Sequence, residues 1–286
     1  MLFVGRVPAP FSKTVRGVEV PTIGIGVFEV DPAETEETVA DAIAAGYRHV
    51  DTASAYGNEE EVGRGIKRAG VDPGDLWVTT KVWIQDLPPE RLRRSAERSL
   101  RLLELERVDL LLLHWPPPDG DDVLGPALEE LQKLRSDGLI RELGVSNFPG
   151  YLLRRALEIA PDVFADQVEY HAKLSQHEVR DIGAEADLLI EAYAPLGGSA
   201  GSVIGEPVLE EIGEAHGVSA AQVALAWLAH QERVVLLPRS TDPERRRENL
   251  AALEVDLSDE ETRRIDELSE QRQRNFDPSF APDWRD

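Results

Sequence analysis

The chain has 286 residues, no cysteine and a formal net charge of −23. Without cysteine it forms neither a disulfide framework nor a zinc–thiolate site, and its acidity disfavours nucleic acid and anionic membranes as partners. The sequence contains no run of about eighteen apolar residues, which a membrane span would need. The N-terminus lacks signal-peptide features, so the cytoplasm is the expected compartment.

The predicted elements begin with a β-hairpin in residues 7–20, turning at Arg16-Gly17, and a short strand over 22–26. Asp31-Pro32 then supplies the cap and first-turn proline of a helix that stops at Gly46. From there strands and helices alternate. Strands are predicted at 47–51, 76–82, 108–114, 139–145, 164–168, 188–193 and 233–237. Helices are predicted at 59–69, 89–105, 122–136, 149–160, 177–186, 205–216, 219–230 and 243–252.

Several of these strands are uninterrupted apolar runs, which is typical of parallel strands covered by helices on both faces. The strand ends at Asp51, Lys81, His114 and Ser146 are 30, 33 and 32 residues apart, about one βαβ unit each. This rhythm predicts an α/β fold, a (β/α)8 TIM barrel built from residues 1–286 as a single domain. A doubly wound sheet is the alternative, but no G-x-G-x-x-G motif follows a predicted strand.

Two further elements are predicted after the last barrel helix. The segment Ser258-Asp259-Glu260-Glu261 has the pattern of a capping box and predicts one extra helix. Residues 275–286 are rich in Pro, Phe and Asp and are predicted to form an extended tail laid over the barrel.

Four chemically distinctive residues fall at one predicted face of this barrel. Asp51, Lys81 and His114 end strands and Tyr56 lies in the loop after Asp51, and the C-terminal ends of barrel strands are where active sites form. These residue types suggest proton donation by a phenol. Lys81 would lower the pKa of Tyr56 from about 10, and Asp51 would hold Lys81. His114 would hydrogen-bond the phenol or orient a carbonyl oxygen. A positioned acid contributes on the order of 10²–10⁴ in rate, so another group must supply the electrons.

Seven segments resemble the signature stretches of the aldo-keto reductases. They are GYRHVDTASAYGNE (46–59), TTKVW (79–83), LLLHWP (111–116), GVSNF (144–148), QVEYH (167–171), YAPLG (193–197) and LPRSTDPERRREN (237–249). They follow the family's order over about 200 residues, and the ending FAPDWRD is similar to the bacterial 2,5-diketo-gluconate reductase branch.

The resemblance implies a (β/α)8 barrel that transfers hydride from NADPH to an aldehyde or ketone. It implies a catalytic tetrad of Asp51, Tyr56, Lys81 and His114, with Tyr56 as the proton donor. The residues implied to hold the cofactor are Ser146, Asn147 and Gln167 at the carboxamide, Tyr193 against the nicotinamide ring, Leu196 and Gly197 near the pyrophosphate, and Arg239, Ser240, Arg245, Glu248 and Asn249 at the adenosine end.

This chain departs from the family pattern at two positions of the cofactor site. Arg239 stands where the family commonly has lysine, and Ala194 stands where serine is frequent. Since arginine binds phosphate bidentately, a preference for NADP is expected to survive. Of the arginines at 245–247, Arg245 is expected to bind the phosphate. The other two are interpreted as part of a solvated helix face.

Aromatic residues after the strand ends predict the wall of a substrate cavity, formed by Phe28, Trp83, Trp115 and Phe148 beside His114. The expected substrate is a small polar carbonyl compound such as methylglyoxal or a keto-sugar acid. The two tryptophans could instead simply pack in the core. The remaining histidines have no metal-ligand spacing, so no metal site is predicted.

Other interpretations of the same residues stay open. Asp51 and Lys81 could form a structural ion pair, and His114 could be a core histidine. Lys81 could form a Schiff base in a barrel lyase, or the chain could bind NADP as a non-catalytic regulatory subunit. The family default is a monomer. Only five of the 31 basic residues are lysines, which predicts a salt-adapted chain, with a GC-rich genome as the alternative explanation.

Overall fold

The computed structural model describes residues 12–118, 120–198 and 202–285. Within these ranges there are ten β-strands, which are β1 (Ser12–Val15), β2 (Val18–Pro21), β3 (Ile25–Gly26), β4 (His49–Asp51), β5 (Trp77–Val82), β6 (Val108–Leu113), β7 (Ile140–Ser146), β8 (Ala165–Glu169), β9 (Leu189–Tyr193) and β10 (Val234–Leu237). The α-helices are α1 (Pro32–Ala45), α2 (Glu59–Ala69), α3 (Pro89–Leu103), α4 (Asp121–Ser136), α5 (Gly150–Ile159), α6 (His177–Ala186), α7 (Pro207–His216), α8 (Ala220–Ala229), α9 (Pro243–Ala251) and α10 (Asp259–Asp266).

Strands β3 to β10 form one parallel sheet in chain order, with helices between successive strands. Backbone hydrogen bonds join its two edges. Gly24 N donates to Leu236 O at 2.8 Å, and Leu236 N donates to Thr22 O at 2.8 Å. A Cβ on Gly24 would lie 2.8 Å from side-chain atoms of both His49 and Leu237, so only glycine lets the chain pass this closely. The predicted (β/α)8 barrel is therefore confirmed.

Buried apolar residues form two layers, one inside the barrel and one between the strands and the helices. The interior layer includes Trp77, Phe164 and Leu189 at the strand starts. Val15 and Val20 of the β1–β2 hairpin belong to the same layer, so the hairpin covers the N-terminal end of the barrel. The opposite end is left open for the site described below.

The predicted elements agree closely with the observed ones, and strand β3 shows the largest difference. It has only two residues, because the chain before Ile25 bonds to β10 through an isolated bridge at Ile23. The extra helix is confirmed as α10, with the predicted capping box at Ser258. Residues 7–11 of the predicted hairpin lie outside the described residues. In the part of the chain that the structure describes, no helix combines the length and apolarity needed to cross a bilayer.

Candidate active site

A buried ion pair stands at the C-terminal ends of β4 and β5. Lys81 Nζ lies 2.7 and 2.9 Å from the two carboxylate oxygens of Asp51 and donates to Thr52 O at 2.8 Å. Tyr56 Oη is 3.3 Å from the same nitrogen. These partners surround the ammonium with acceptors, and two of them, Asp51 and Tyr56, line the cavity. An ammonium held in this way favours a phenolate beside it.

The loop after β4 brings Tyr56 to this position. A short 3-10 turn over Ser54–Tyr56 is fixed to β5 because Ser54 Oγ donates to Lys81 O at 2.8 Å. Gly57 then adopts φ 70°, a left-handed conformation that glycine tolerates, and the chain enters α2. Asn58 ties the loop to the start of the barrel by donating to Val27 O at 3.0 Å.

His114 follows β6 and faces the phenol edge-on. Its ring centroid is 5.7 Å from that of Tyr56 and 5.1 Å from that of Trp83. Burial lowers the pKa of His114 well below its usual value, and the positive charge of Lys81 lowers it further. The imidazole is therefore neutral at neutral pH and can hydrogen-bond a carbonyl oxygen without adding charge.

The pKa of Tyr56 differs from the sequence-based expectation. Burial of the phenol raises its pKa above 10, and this outweighs the attraction of the Lys81 ammonium, which lowers it. The expectation of a net lowering is wrong for this structure, because the sequence did not show how deeply the hydroxyl lies. For Lys81, burial lowers the pKa but Asp51 and Tyr56 raise it more, so the lysine stays charged. The phenol is accordingly a protonated acid next to a permanent cation.

A cavity of about 980 Å³ opens above these residues. Asp51, Tyr56 and His114 line it, whereas Lys81 lies behind them. Of the residues expected at the cofactor, the cavity is lined by Ser146, Asn147, Gln167, Tyr193, Leu196 and Arg239. Of the expected aromatic wall, it is lined by Phe28, Trp83 and Trp115. The two groups meet in one continuous space.

Hydrogen bonds also join the ends of the next four strands around the cavity. Asn147, with φ 63°, donates from Nδ2 to His114 O at 2.9 Å and accepts from Tyr193 Oη at 2.7 Å. Ser146 Oγ donates to Gln167 O at 2.8 Å. Residues from β6, β7, β8 and β9 are thus held in one rim, with amide and hydroxyl groups along the cavity.

Phe148 is a correction to the predicted aromatic wall. It is fully buried, belongs to the layer between strands and helices, and is absent from the cavity lining. The left-handed conformation of Asn147 turns the chain just before it, so the Phe148 ring packs behind the rim. Gly197 also lies outside the lining, although its neighbour Gly198 belongs to it.

Of the residues expected at the adenosine end of the cofactor, only Arg239 lines the cavity. Ser240, Arg245, Glu248 and Asn249 lie outside its lining. Arg239 Nη1 is within 3.1 Å of both Phe28 O and Glu29 Oε2, so it bridges the last barrel strand to the loop after β3.

The arginine run on α9 also needs a correction. Arg246 is not part of a solvated face, because it is 1% exposed and pairs with Asp41 of α1. Its other nitrogen, Nη1, donates to Ser240 O at 3.0 Å. Sequence alone could not identify Arg246 as the member of the run that points inward and supports the loop before α9.

Sequence reasoning missed that the C-terminal tail forms part of the cavity. The lining includes Asn275, Phe276, Pro278 and Phe280. The Glu169 carboxylate accepts the backbone N–H groups of Asn275 and Phe276 at 2.8 and 2.9 Å. The Phe276 ring stands perpendicular to that of Tyr193, with centroids 5.4 Å apart. Aromatic residues recurring in an otherwise polar tail were the available signal.

Known proteins resemble the chain over almost its whole length. The model of the Aldo/keto reductase family matches residues 22–270. A glyoxal reductase from Bacillus subtilis is 41% identical over 269 residues, covering 92% of this chain and 95% of the relative. A morphine 6-dehydrogenase from Pseudomonas putida is 37% identical over 274 residues, covering 91% of each chain. A solved structure of a candidate 2,5-diketo-D-gluconic acid reductase B superimposes with a TM-score of 0.90 at 35% identity, covering 96% of this chain and 97% of that one.

Proposed function

Because the chain belongs to the aldo-keto reductase family, we propose that it is an NADPH-dependent reductase of small polar aldehydes and ketones with Tyr56 as proton donor. The observation that carries this proposal is the 3.3 Å approach of the Lys81 ammonium to the Tyr56 hydroxyl at the base of the cavity. When bound, the nicotinamide supplies the hydride. The chain's own residues supply the proton and the geometry.

Tyr56 is suited to act as the acid, because its raised pKa keeps the phenol protonated before reaction. When the proton moves to the carbonyl oxygen, the negative charge left on the phenolate lies next to Lys81 and is stabilised by it. Asp51 keeps the lysine in place through two hydrogen bonds. General acid catalysis of this kind contributes on the order of 10²–10⁴ in rate.

Lys81 is poorly suited to the alternative Schiff-base chemistry. A nucleophilic lysine must lose its proton, and it does so when its pKa is lowered. Here the pKa of Lys81 is raised, and its nitrogen is hydrogen-bonded to Asp51, Thr52 and Tyr56. The lysine therefore acts as a fixed positive charge.

The residues of the cavity fit a nicotinamide dinucleotide. Ser146, Asn147 and Gln167 offer hydroxyl and amide groups in the same cavity as Tyr56, where the carboxamide would be held. Tyr193 presents an aromatic ring beside them, and Arg239 supplies a cation at the other end. The guanidinium supports NADPH over NADH in this proposal, because arginine binds phosphate bidentately.

The substrate proposal rests on the aromatic walls and on the relatives. The ring of Phe280 lies 5.7 Å from Trp83 and 5.4 Å from Trp115, which narrows the space beside His114. A relative is named glyoxal reductase, and glyoxal is a small dicarbonyl. We therefore place methylglyoxal and keto-sugar acids first among candidate substrates, and we propose a cytoplasmic monomer as the working form.

The test is NADPH consumption, followed by absorbance over a panel of aldehydes, ketoses and keto acids. The Tyr56→Phe variant should lose on the order of 10²–10⁴ in kcat and should still bind NADPH. Tyr151→Phe, on helix α5, is the matched control and should keep full activity. Full activity of Tyr56→Phe would refute the assignment of the acid. Cofactor binding without turnover of any carbonyl would favour a regulatory subunit.

A further inference from the structure

Beneath the tetrad, the interior of the barrel holds a polar cluster of which the proposed reaction uses only Gln167. It consists of Glu191 on β9, Gln167 on β8, and His49 and Thr79 on β4 and β5. All four are buried, and Glu191 and His49 have no exposed surface. Ionisable groups inside a barrel are energetically unfavourable unless they are paired or neutral, so this cluster needs an explanation.

One amide connects the cluster to the tetrad. Gln167 Nε2 donates to Asp51 Oδ2 at 2.8 Å and to Glu191 Oε2 at 2.7 Å. An amide nitrogen has two hydrogens, so both are used by the two carboxyl groups. This fixes the orientation of the side chain of Gln167, which lines the cavity. Removal of either acceptor would release the amide from this orientation.

We propose that Glu191 is a positioning residue of the reductase. In its neutral, protonated form Glu191 holds Gln167 in place, and ionisation of Glu191 weakens the reaction. This inference rests on the proposed function for its effect on turnover, but the protonation of Glu191 can be tested without turnover. The residue touches neither the cavity nor the reacting groups and acts through Gln167 and Asp51.

The charges around Glu191 explain why it holds the proton. The titratable groups that face it across the barrel are His49 and Asp51 on β4 and Lys81 on β5, while β10 is wholly apolar. Burial lowers the pKa of His49 to about 3, so the imidazole is neutral. A single cation, Lys81, therefore faces two acids, and Asp51 makes the direct contact with it. The remaining acid must be neutral or stay buried without a counter-charge.

The local contacts agree with a proton on Glu191. Burial and the neighbouring Asp51 carboxylate raise its pKa to about 8. Oε2 accepts from Gln167, while Oε1 lies 3.5 Å from Thr79 Oγ1 and 3.6 Å from His49 Nε2. The Thr79 hydroxyl donates to Oε1, whereas the ring nitrogen of the neutral His49 can accept a hydrogen bond from it, so Oε1 is the oxygen placed to carry the hydrogen. A small adjustment would bring it within ordinary hydrogen-bond distance.

Ionisation of Glu191 should disfavour reduction. The new charge would appear in a water-poor interior next to Asp51, and it would oppose the negative charge that forms on Tyr56. Reduction should therefore decline as the pH rises through the pKa of Glu191. The decline comes from a residue outside the cavity and is distinct from titration of the phenol, whose pKa is above 10.

Isotope-edited infrared spectroscopy tests the proton directly. The full-length protein labelled on glutamate carboxyl carbons should show a protonated-carboxyl band at pH 7 that disappears with a midpoint near 8 and is missing in Glu191→Gln. Because only glutamate is labelled, the buried Asp166 adds no signal to this band. A carboxylate spectrum for Glu191 at pH 7 would overturn the proposal, and this measurement needs neither a variant with full activity nor a known substrate.

Two variants test the effect on the reaction. Glu191→Gln mimics the neutral acid, so it should retain NADPH affinity within about threefold, and its kcat profile should lose the decline near pH 8. Glu191→Leu removes the acceptor and should weaken NADPH binding about tenfold or more. Glu142→Gln, a half-buried acid on β7, is the control and should behave as wild type. A decline near pH 8 that persists in Glu191→Gln would refute the proposed role. Absence of NADPH-dependent turnover in the wild type would instead refute the proposed function, and the infrared result would still decide the proton.

Discussion

Replacement of Glu29 by glutamine is expected to tighten the binding of NADPH and to leave the binding of NADH unchanged. In the structure the Glu29 carboxylate is 3.1 Å from Arg239 Nη1. Arg239 is also the cation expected to bind the 2′-phosphate. The carboxylate and the phosphate therefore compete for one guanidinium, and NADH, which lacks the phosphate, does not enter this competition.

The size of the effect follows from the exposure of the pair. At 3.1 Å, two unit charges in a water-like medium attract by about 1 kcal/mol. The side chains are 41% and 58% exposed, and exposed pairs of this kind contribute about 0.2–1 kcal/mol. Loss of the carboxylate should therefore improve NADPH affinity by up to about fivefold. Arg239 should keep its place in Glu29→Gln, because it also donates to the Phe28 carbonyl.

Fluorescence titration with NADPH and NADH at low and high salt measures the effect. The ratio between variant and wild type should approach one near 1 M salt, where the Debye length is about 3 Å. Glu34→Gln, an exposed acid in the first turn of α1, is the matched control for the loss of one negative charge. Equal gains in the two glutamine variants would show that only net charge matters. Weaker NADPH binding in Glu29→Gln would show that the pair supports the bound cofactor.

Four further substitutions test the packing, the charges and the tail. Gly63→Ala should lower stability by about 1–3 kcal/mol in urea denaturation, because its Cβ would lie 2.7 Å from backbone atoms of α3. Gly125→Ala has no atom within 4 Å of its Cβ and should raise stability by up to about 1 kcal/mol. Burial raises the pKa of Asp166 well above its usual value, so the contribution of this residue to stability should fall as pH rises above about 4. Asp166→Asn should remove this loss, and its advantage in thermal unfolding should grow from pH 5 to 8. Glu169→Gln should speed tryptic cleavage near Arg272, because a carboxamide accepts the tail's N–H groups less well. Unchanged cleavage would contradict the role given to this carboxylate.

The barrel and the position of the tetrad at one of its faces could be predicted from the sequence, because both depend on local periodicity. Apolar runs and regular spacing identify parallel strands, and the C-terminal ends of parallel strands must share one end of a barrel. Asp51 ends β4, Lys81 is the penultimate residue of β5 and His114 directly follows β6, so their convergence needed no knowledge of side-chain packing.

Features that depend on three-dimensional packing could not be predicted in this way. Phe148 follows a strand end as Trp115 does, yet the turn at Asn147 sends it into the core. The net pKa of Tyr56 depends on how much water reaches the hydroxyl, which is set by residues distant in sequence. The tail joins the cavity through Glu169, more than a hundred residues earlier in the chain. No local pattern records such contacts.

The two ends of the cavity should respond differently to salt, because the charges at one end are buried and those at the other end are exposed. Lys81 and Asp51 have side chains that are 0% and 5% exposed, so mobile ions cannot screen their attraction. The pair of Arg239 and Glu29 is open to solvent, and an anionic cofactor must also approach a chain of net charge −23. Salt should therefore change the dissociation constant of NADPH and leave the rate of the chemical step nearly constant. Single-turnover measurements at saturating NADPH isolate that step from product release. A tenfold change in the single-turnover rate between 0.1 and 2 M KCl, with the protein still folded, would mean that ions reach the tetrad and that its charges are not shielded as the structure indicates.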